Sequence, residues 1–204
     1  MDTGNVIAAI IPTALFLFLI LYYTVWMGSG YSPKIIRTGH TAKIVGLSTK
    51  TTDESFIEDD LLLWKEFKHL KDQNIVPNKK EEHSFISIKK RPINGEKSWE
   101  YMIGRIVTNF NEIPAGFKTL EIEPNLFVAV HLQVKDEQSW GITISKLEKY
   151  LEEKWLPLST KYEINKDSDV KSLIYHDKSN KKKTRAIIYY LAVKERVIDT
   201  KKRA

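Results

Sequence analysis

The sequence contains no cysteine. That excludes a disulfide-stapled secreted scaffold, a thiol nucleophile and any thiolate metal site. No Asn-x-Ser/Thr acceptor for an N-linked glycan occurs either. Lysine and arginine are missing from the first 27 residues, where Asp2 is the single charge. His40, His69, His83 and His176 lack metal-ligand spacing, so no metal site is expected, nor any cofactor. What is present is globular: 204 residues, 42% hydrophobic and 28% charged, enough chain to bury one core and too apolar for disorder throughout.

The apolar residues are unevenly spread. Val6 to Trp26 (VIAAIIPTALFLFLILYYTVW) is 21 residues without a charge. As a helix it would be about 31 Å long, against a hydrocarbon core of about 30 Å. Tyr22, Tyr23 and Trp26 cluster at one end, where an aromatic belt belongs. A cleaved signal peptide fits less well, because no Lys or Arg precedes the run and the run exceeds an ordinary signal core. Lys34, Arg37 and Lys43 follow it, so the positive-inside rule places the C-terminal part in the cytosol. The expected organisation is an anchor over residues 1–27 and a juxtamembrane linker over 28–40. A domain over 41–195 and a basic tail over 196–204 follow.

Strand and helix patterns then alternate. Ala42–Thr49 reads as a strand, and Ser55 with Glu58 has capping-box spacing before a helix that carries Leu63, Trp64, Phe67 and Leu70 on one face. Phe85–Lys90 and Trp99–Asn109 read as two strands. The order then repeats. Phe127–Val134 alternates, Ile144, Leu147, Leu151 and Trp155 share a helix face that Pro157 stops, and Ser172–Tyr175 and Thr184–Val193 close the second set. The expected fold is α+β, a duplicated βαββ. Its antiparallel sheet would carry both helices on one face and leave a cleft on the other.

The stretch AKIVGLSTKTTDESFIEDDLLLWKEFKHL resembles the opening of the GyrI-like small-molecule-binding domain, also found as the effector-binding part of AraC-type regulators. Tyr101-Met-Ile-Gly104, IPAGFKTLEIEPNLFVAVHLQV, Lys154-Trp-Leu-Pro157 and Leu173-Ile-Tyr175 follow in the family's order. The resemblance covers Thr41 to Lys194 and implies the duplicated βαββ with a ligand cleft between its halves. Many members carry a Glu where Leu173 stands, and leucine neither pairs with a cation nor moves a proton. That departure weakens both a cationic-effector role and the hydrolase role known in some members. The anchor-plus-domain layout is also similar to that of a membrane-anchored ER-phagy receptor of the family. No long tail with an autophagy-docking motif follows the last strand, and Phe117-Lys-Thr-Leu120 lies inside the domain.

Aromatic side chains suit the walls of such a cleft. The family pattern points to Trp64, Tyr101, Phe127, His131, Trp155 and Tyr175 as ligand-binding candidates; Trp64 and Trp155 fit helix anchors in the core equally well, and His131 fits an ordinary sheet histidine. No catalytic residue is assigned. The basic runs Lys178–Arg185 and Lys201–Arg203 lack interleaved aromatics, so no nucleic-acid partner is expected. Lys201 and Lys202 resemble a dilysine ER-retrieval signal, a receptor-read address that a coat protein would recognise on a cytosolic tail. The expectation is a single-pass protein of the ER or another endomembrane, N-terminus lumenal, displaying a cytosolic module that binds a small or apolar ligand. A hydrolase of hydrophobic or electrophilic small molecules and a protein-binding scaffold with a vestigial pocket are the alternatives.

Overall fold

The computed structural model describes residues 30–72, 75–80, 84–90, 96–134, 138–177 and 185–197. The apolar run 6–26, the basic loop 178–184 and the pair Lys201 and Lys202 lie outside the described residues. The chain divides into two units, Met1–Ser32 and Pro33–Ala204, and the elements below belong to the second. Among the described residues no helix is long and apolar enough to cross a membrane.

The strands are β1 (Lys34–Arg37), β2 (Ala42–Thr51), β3 (Ser84–Lys90), β4 (Trp99–Val107), β5 (Lys118–Ile122), β6 (Leu126–Val134), β7 (Tyr162–Ile164), β8 (Val170–Asp177) and β9 (Arg185–Glu195). The helices are α1 (Phe56–Asp72) and α2 (Gln138–Tyr150). Eight strands form one antiparallel order, β1-β6-β9-β8-β3-β4-β2-β5, with β7 paired to β9 beside it. Outward from the central β3–β8 pair the two sides match: β3-β4-β2-β5 against β8-β9-β6-β1. The duplicated βαββ is therefore present, with one difference. Each half's lead strand is exchanged, so that β1, which precedes β2, pairs with β6, while β5, which precedes β6, pairs with β2. Both lead strands are short, and β1 occupies residues expected to be linker.

The exchange dictates the shape of the sheet. From β1 to β2 is six strand steps, about 29 Å if the sheet were flat. The chain between Arg37 and Ala42 reaches only about 18 Å fully extended. The sheet therefore has to curl. The two short connectors are bonded to each other: the Thr38 amide donates to the Asn125 carbonyl at 3.0 Å, and the Asn125 amide donates to Thr38 Oγ1 at 2.8 Å. Gly46 and Gly104 face each other across β2 and β4 where the strands crowd closest. A Cβ on Gly46 would collide with the Ile103 carbonyl oxygen.

Curling buries the face that carries no helix. Ile44, Ile88, Met102, Phe127 and Leu173, all less than a tenth exposed, pack there as one core. This packing fills the middle of the face on which the cleft was expected, with Tyr175 and Tyr190 half-buried and His131 exposed beside it. On the other face α1 buries Leu63 and Phe67 against Leu47, Phe85, Tyr101 and Ile103, each such side chain contributing about 1.5–3 kcal/mol by leaving water. Leu61 and Leu62, a quarter-turn or more away, stay exposed. The Ser55 hydroxyl donates to Asp59 Oδ2 at 2.8 Å and accepts from the Thr52 amide, so Asp59 supplies the carboxylate of this cap where Glu58 was expected. Ile144 and Leu147 of α2, with Leu151 just beyond it, form one buried stripe. The helix does not stop at Pro157. It widens into a π turn over Leu151–Trp155, with the Leu156 amide bonded to the Leu151 carbonyl, and closes with a short α3 (Leu156–Leu158). Proline's ring crowds the carbonyl four residues before it, and the wider turn relieves that contact.

Replacing Gly46 with alanine should destabilise the domain by about 2 kcal/mol or more, the cost of an over-packed position in a rigid core. Urea unfolding measures it; an unchanged midpoint would contradict the close strand approach.

Candidate functional site

The two halves place the same polar trio beneath their helices. In the first, Tyr101 on β4 hydrogen-bonds Asp60 of α1 and Ser87 of β3. In the second, Tyr189 on β9 donates to Glu148 Oε1 of α2 at 3.1 Å and bonds Ser172 of β8. The sheet register makes the tyrosine–serine pair a repeat. Tyr101 stands opposite Lys89, two residues after Ser87, and Tyr189 stands opposite Ile174, two residues after Ser172. Burial comes first among the causes that hold both phenols well above the usual tyrosine value, with the neighbouring carboxylate adding to it.

Lys89 joins the halves. Its Nζ lies 3.0 Å from Glu148 Oε1, the oxygen that also accepts from Tyr189. The same ammonium sits 4.9 Å from the centre of the Phe56 ring and 5.8 Å from that of Trp99, and its field reaches Asp60. Phe56, Trp99 and Tyr101 form a tilted cluster with centres 4.9–6.2 Å apart. Trp64 borders it, edge-on to Phe85, and its indole N–H and the Tyr101 hydroxyl donate to the Asp60 carboxylate. Asp60 Oδ1 is buried with no hydrogen-bond donor on it among the described residues. Desolvation raises the Asp60 pKa despite the Tyr101, Trp64 and Lys89 contributions that oppose it. A carboxylate that accepts from two aromatic side chains, within the field of an ammonium held over two further rings, is the chemistry of an organic-cation seat.

Of the six residues expected at a site, Trp64 and Tyr101 meet at Asp60. Phe127, His131 and Tyr175 project from the opposite face of the sheet. Phe127 is 1% exposed and edge-on to Tyr190, Tyr175 is half-buried, and His131 is exposed. Trp155 lies half-buried on the π turn. Asp60, Lys89, Phe56, Trp99 and Glu148 are additions. Leu173 belongs to the core of the non-helical face. An open hollow of ≈ 380 Å³ beside α3 and β7 is less suited to a ligand. Two of its cations are engaged, Lys194 with Asp167 at 2.8 Å and Arg196 with the Tyr162 and Leu156 carbonyls.

No protein-family model and no curated protein matches the chain. Solved structures do. SAV2435 bound to tetraphenylphosphonium aligns with a TM-score of 0.61 at 8% identity, over 80% of this chain and 94% of that one. The likeness is one of fold. A Staphylococcus aureus protein linked to transcription regulation aligns at 0.58 and 7% identity, over 80% and 98% of the two chains. An integron cassette protein of Vibrio cholerae aligns at 0.55 and 7% identity, over 81% and 100%. The arrangement fits the GyrI-like fold that the sequence resemblance implied.

Tyr189→Phe should cost about 1.5–3 kcal/mol, the worth of a hydrogen bond to a charged acceptor. Asp60→Asn should leave stability at pH 7 within about 1 kcal/mol of the parent, since the amide oxygen still accepts from Tyr101 and the desolvated charge is gone. Chemical denaturation of both variants checks this; a large loss in Asp60→Asn alone would make Asp60 a structural residue.

Proposed function

We propose that this chain is a small-molecule-binding module whose ligands are hydrophobic organic cations, seated between α1 and the sheet against Asp60, Phe56, Trp64, Trp99 and Tyr101. The observation that carries the reading is the Lys89 ammonium, held over two rings and facing a partly desolvated carboxylate. Cation–π contacts are worth about 0.5–2 kcal/mol each, more as water is excluded. The fold likeness supports the reading, because SAV2435 carries tetraphenylphosphonium in its structure. Leu173 removes the acid that many GyrI-like members present; in this reading Asp60 takes its place from the helix side. Both buried tyrosines stay protonated and serve as hydrogen-bond donors to the carboxylates.

The module is also proposed to be membrane-anchored. The uncharged run Val6–Trp26 followed by Lys34, Arg37 and Lys43 supports a single span with the domain in the cytosol. Extraction of the expressed chain by alkaline carbonate would contradict a spanning anchor, and retention in the pellet is expected.

Titration calorimetry with tetraphenylphosphonium tests the ligand class on the full chain in non-ionic detergent. Binding is expected in the parent, and Asp60→Asn should weaken it about tenfold or more. The pH dependence follows from Asp60. Its raised pKa means that the attracting charge is lost on acidification at a higher pH than for an ordinary carboxylate, so affinity falls there and Asp60→Asn flattens the profile. Equal affinity in parent and variant would overturn the site.

A further inference from the structure

The seat that a cationic ligand needs is already taken by the chain itself. Lys89 contributes the ammonium, Phe56 and Trp99 contribute the rings, and Glu148 on the opposite half fixes the ammonium from the far side at 3.0 Å. We propose that Lys89 is a tethered competitor that determines which cations the site admits. This rests on the cation-binding reading above.

A side chain attached to the floor of its own site has an effective concentration of about millimolar or higher. A small free ammonium offers the rings and Asp60 what Lys89 already offers, so exchange gains it nothing. A large aryl cation covers more ring surface than an ammonium does and gains apolar contact that Lys89 lacks, so it displaces the lysine. Displacement replaces the cation whose field reaches Asp60 with another. The Lys89 side chain is 19% exposed and Glu148 is 21% exposed, so water lies within reach of the ejected ammonium. Lys89 belongs to the first half and Glu148 to the second, so displacement also frees one half from the other at that point.

The test compares tetraphenylphosphonium and tetramethylammonium on the full chain and on Lys89→Met, which keeps most of the length of the side chain without its charge. The parent should bind the aryl cation and show no tetramethylammonium binding at micromolar concentrations. Lys89→Met should bind the aryl cation about tenfold tighter or more and acquire tetramethylammonium binding, whereas Lys89→Arg should gain neither. Amine labelling of the unmodified chain, read by mass spectrometry at Lys89, should rise several-fold at saturating tetraphenylphosphonium. A folded Lys89→Met with parental affinity and no new ligand would overturn the competitor role while leaving the cation reading intact. Lys89 labelling that stays constant while the parent saturates would do the same even if the variant does not fold. Absence of tetraphenylphosphonium binding in both parent and variant would instead remove the cation reading, and the competitor with it.

Discussion

Two connectors of only a few residues govern this fold. Each has to carry the chain across most of an eight-strand sheet, from β1 to β2 and from β5 to β6, and neither is long enough to do so if the sheet is flat. Curling is the only geometry that lets both lead strands pair where they do. It buries the helix-free face on itself and so leaves the helix side as the place where polar and aromatic groups meet. Gly46 and Gly104 make the curl sterically possible, since any side chain there would enter the backbone of the neighbouring strand.

The repeat gives the helix side its chemistry. A tyrosine, a serine and a carboxylate meet under each helix; pairing register carries the tyrosine and serine of one half onto the other, while the carboxylates come from opposite ends of their helices. The carboxylates differ. Glu148 is satisfied by Lys89 and Tyr189, whereas Asp60, bonded to Tyr101 and Trp64, has one oxygen without a donor among the described residues. An unevenly satisfied pair of this kind separates a structural half from a half that can exchange its cation. Buried charge without full compensation costs stability, and such sites persist where binding repays the cost.

Much of the fold was legible in the sequence because alternation and helical spacing report burial directly. β2, β3, β4, β6 and both helices fall where the apolar periods put them, and Leu63 and Phe67 are buried as that spacing requires. β1 and β5 were not legible. They are four and five residues long, too short for a period, and pair with strands of the other half, which no local pattern encodes. The side of the sheet that stays polar was also hidden, because it follows from connector length and strand order together. Trp64 and Tyr101 were within reach through the family resemblance. Asp60 was not, since an acid in a first helical turn reads as complementing the helix dipole. Lys89 reads equally well as a solvated strand end; only the fold brings Phe56 and Trp99 to its ammonium.

The central claim is where the cation sits. A crystal structure of the domain with tetraphenylarsonium, whose arsenic scatters anomalously, locates it without reliance on the shape of the density. The account predicts a single strong peak between α1 and the β3–β4 strands, beside Asp60 and the Phe56 and Trp99 rings, with the Lys89 ammonium moved away from them. A peak on the opposite face of the sheet, among Phe127, Tyr175 and Tyr190, would contradict it.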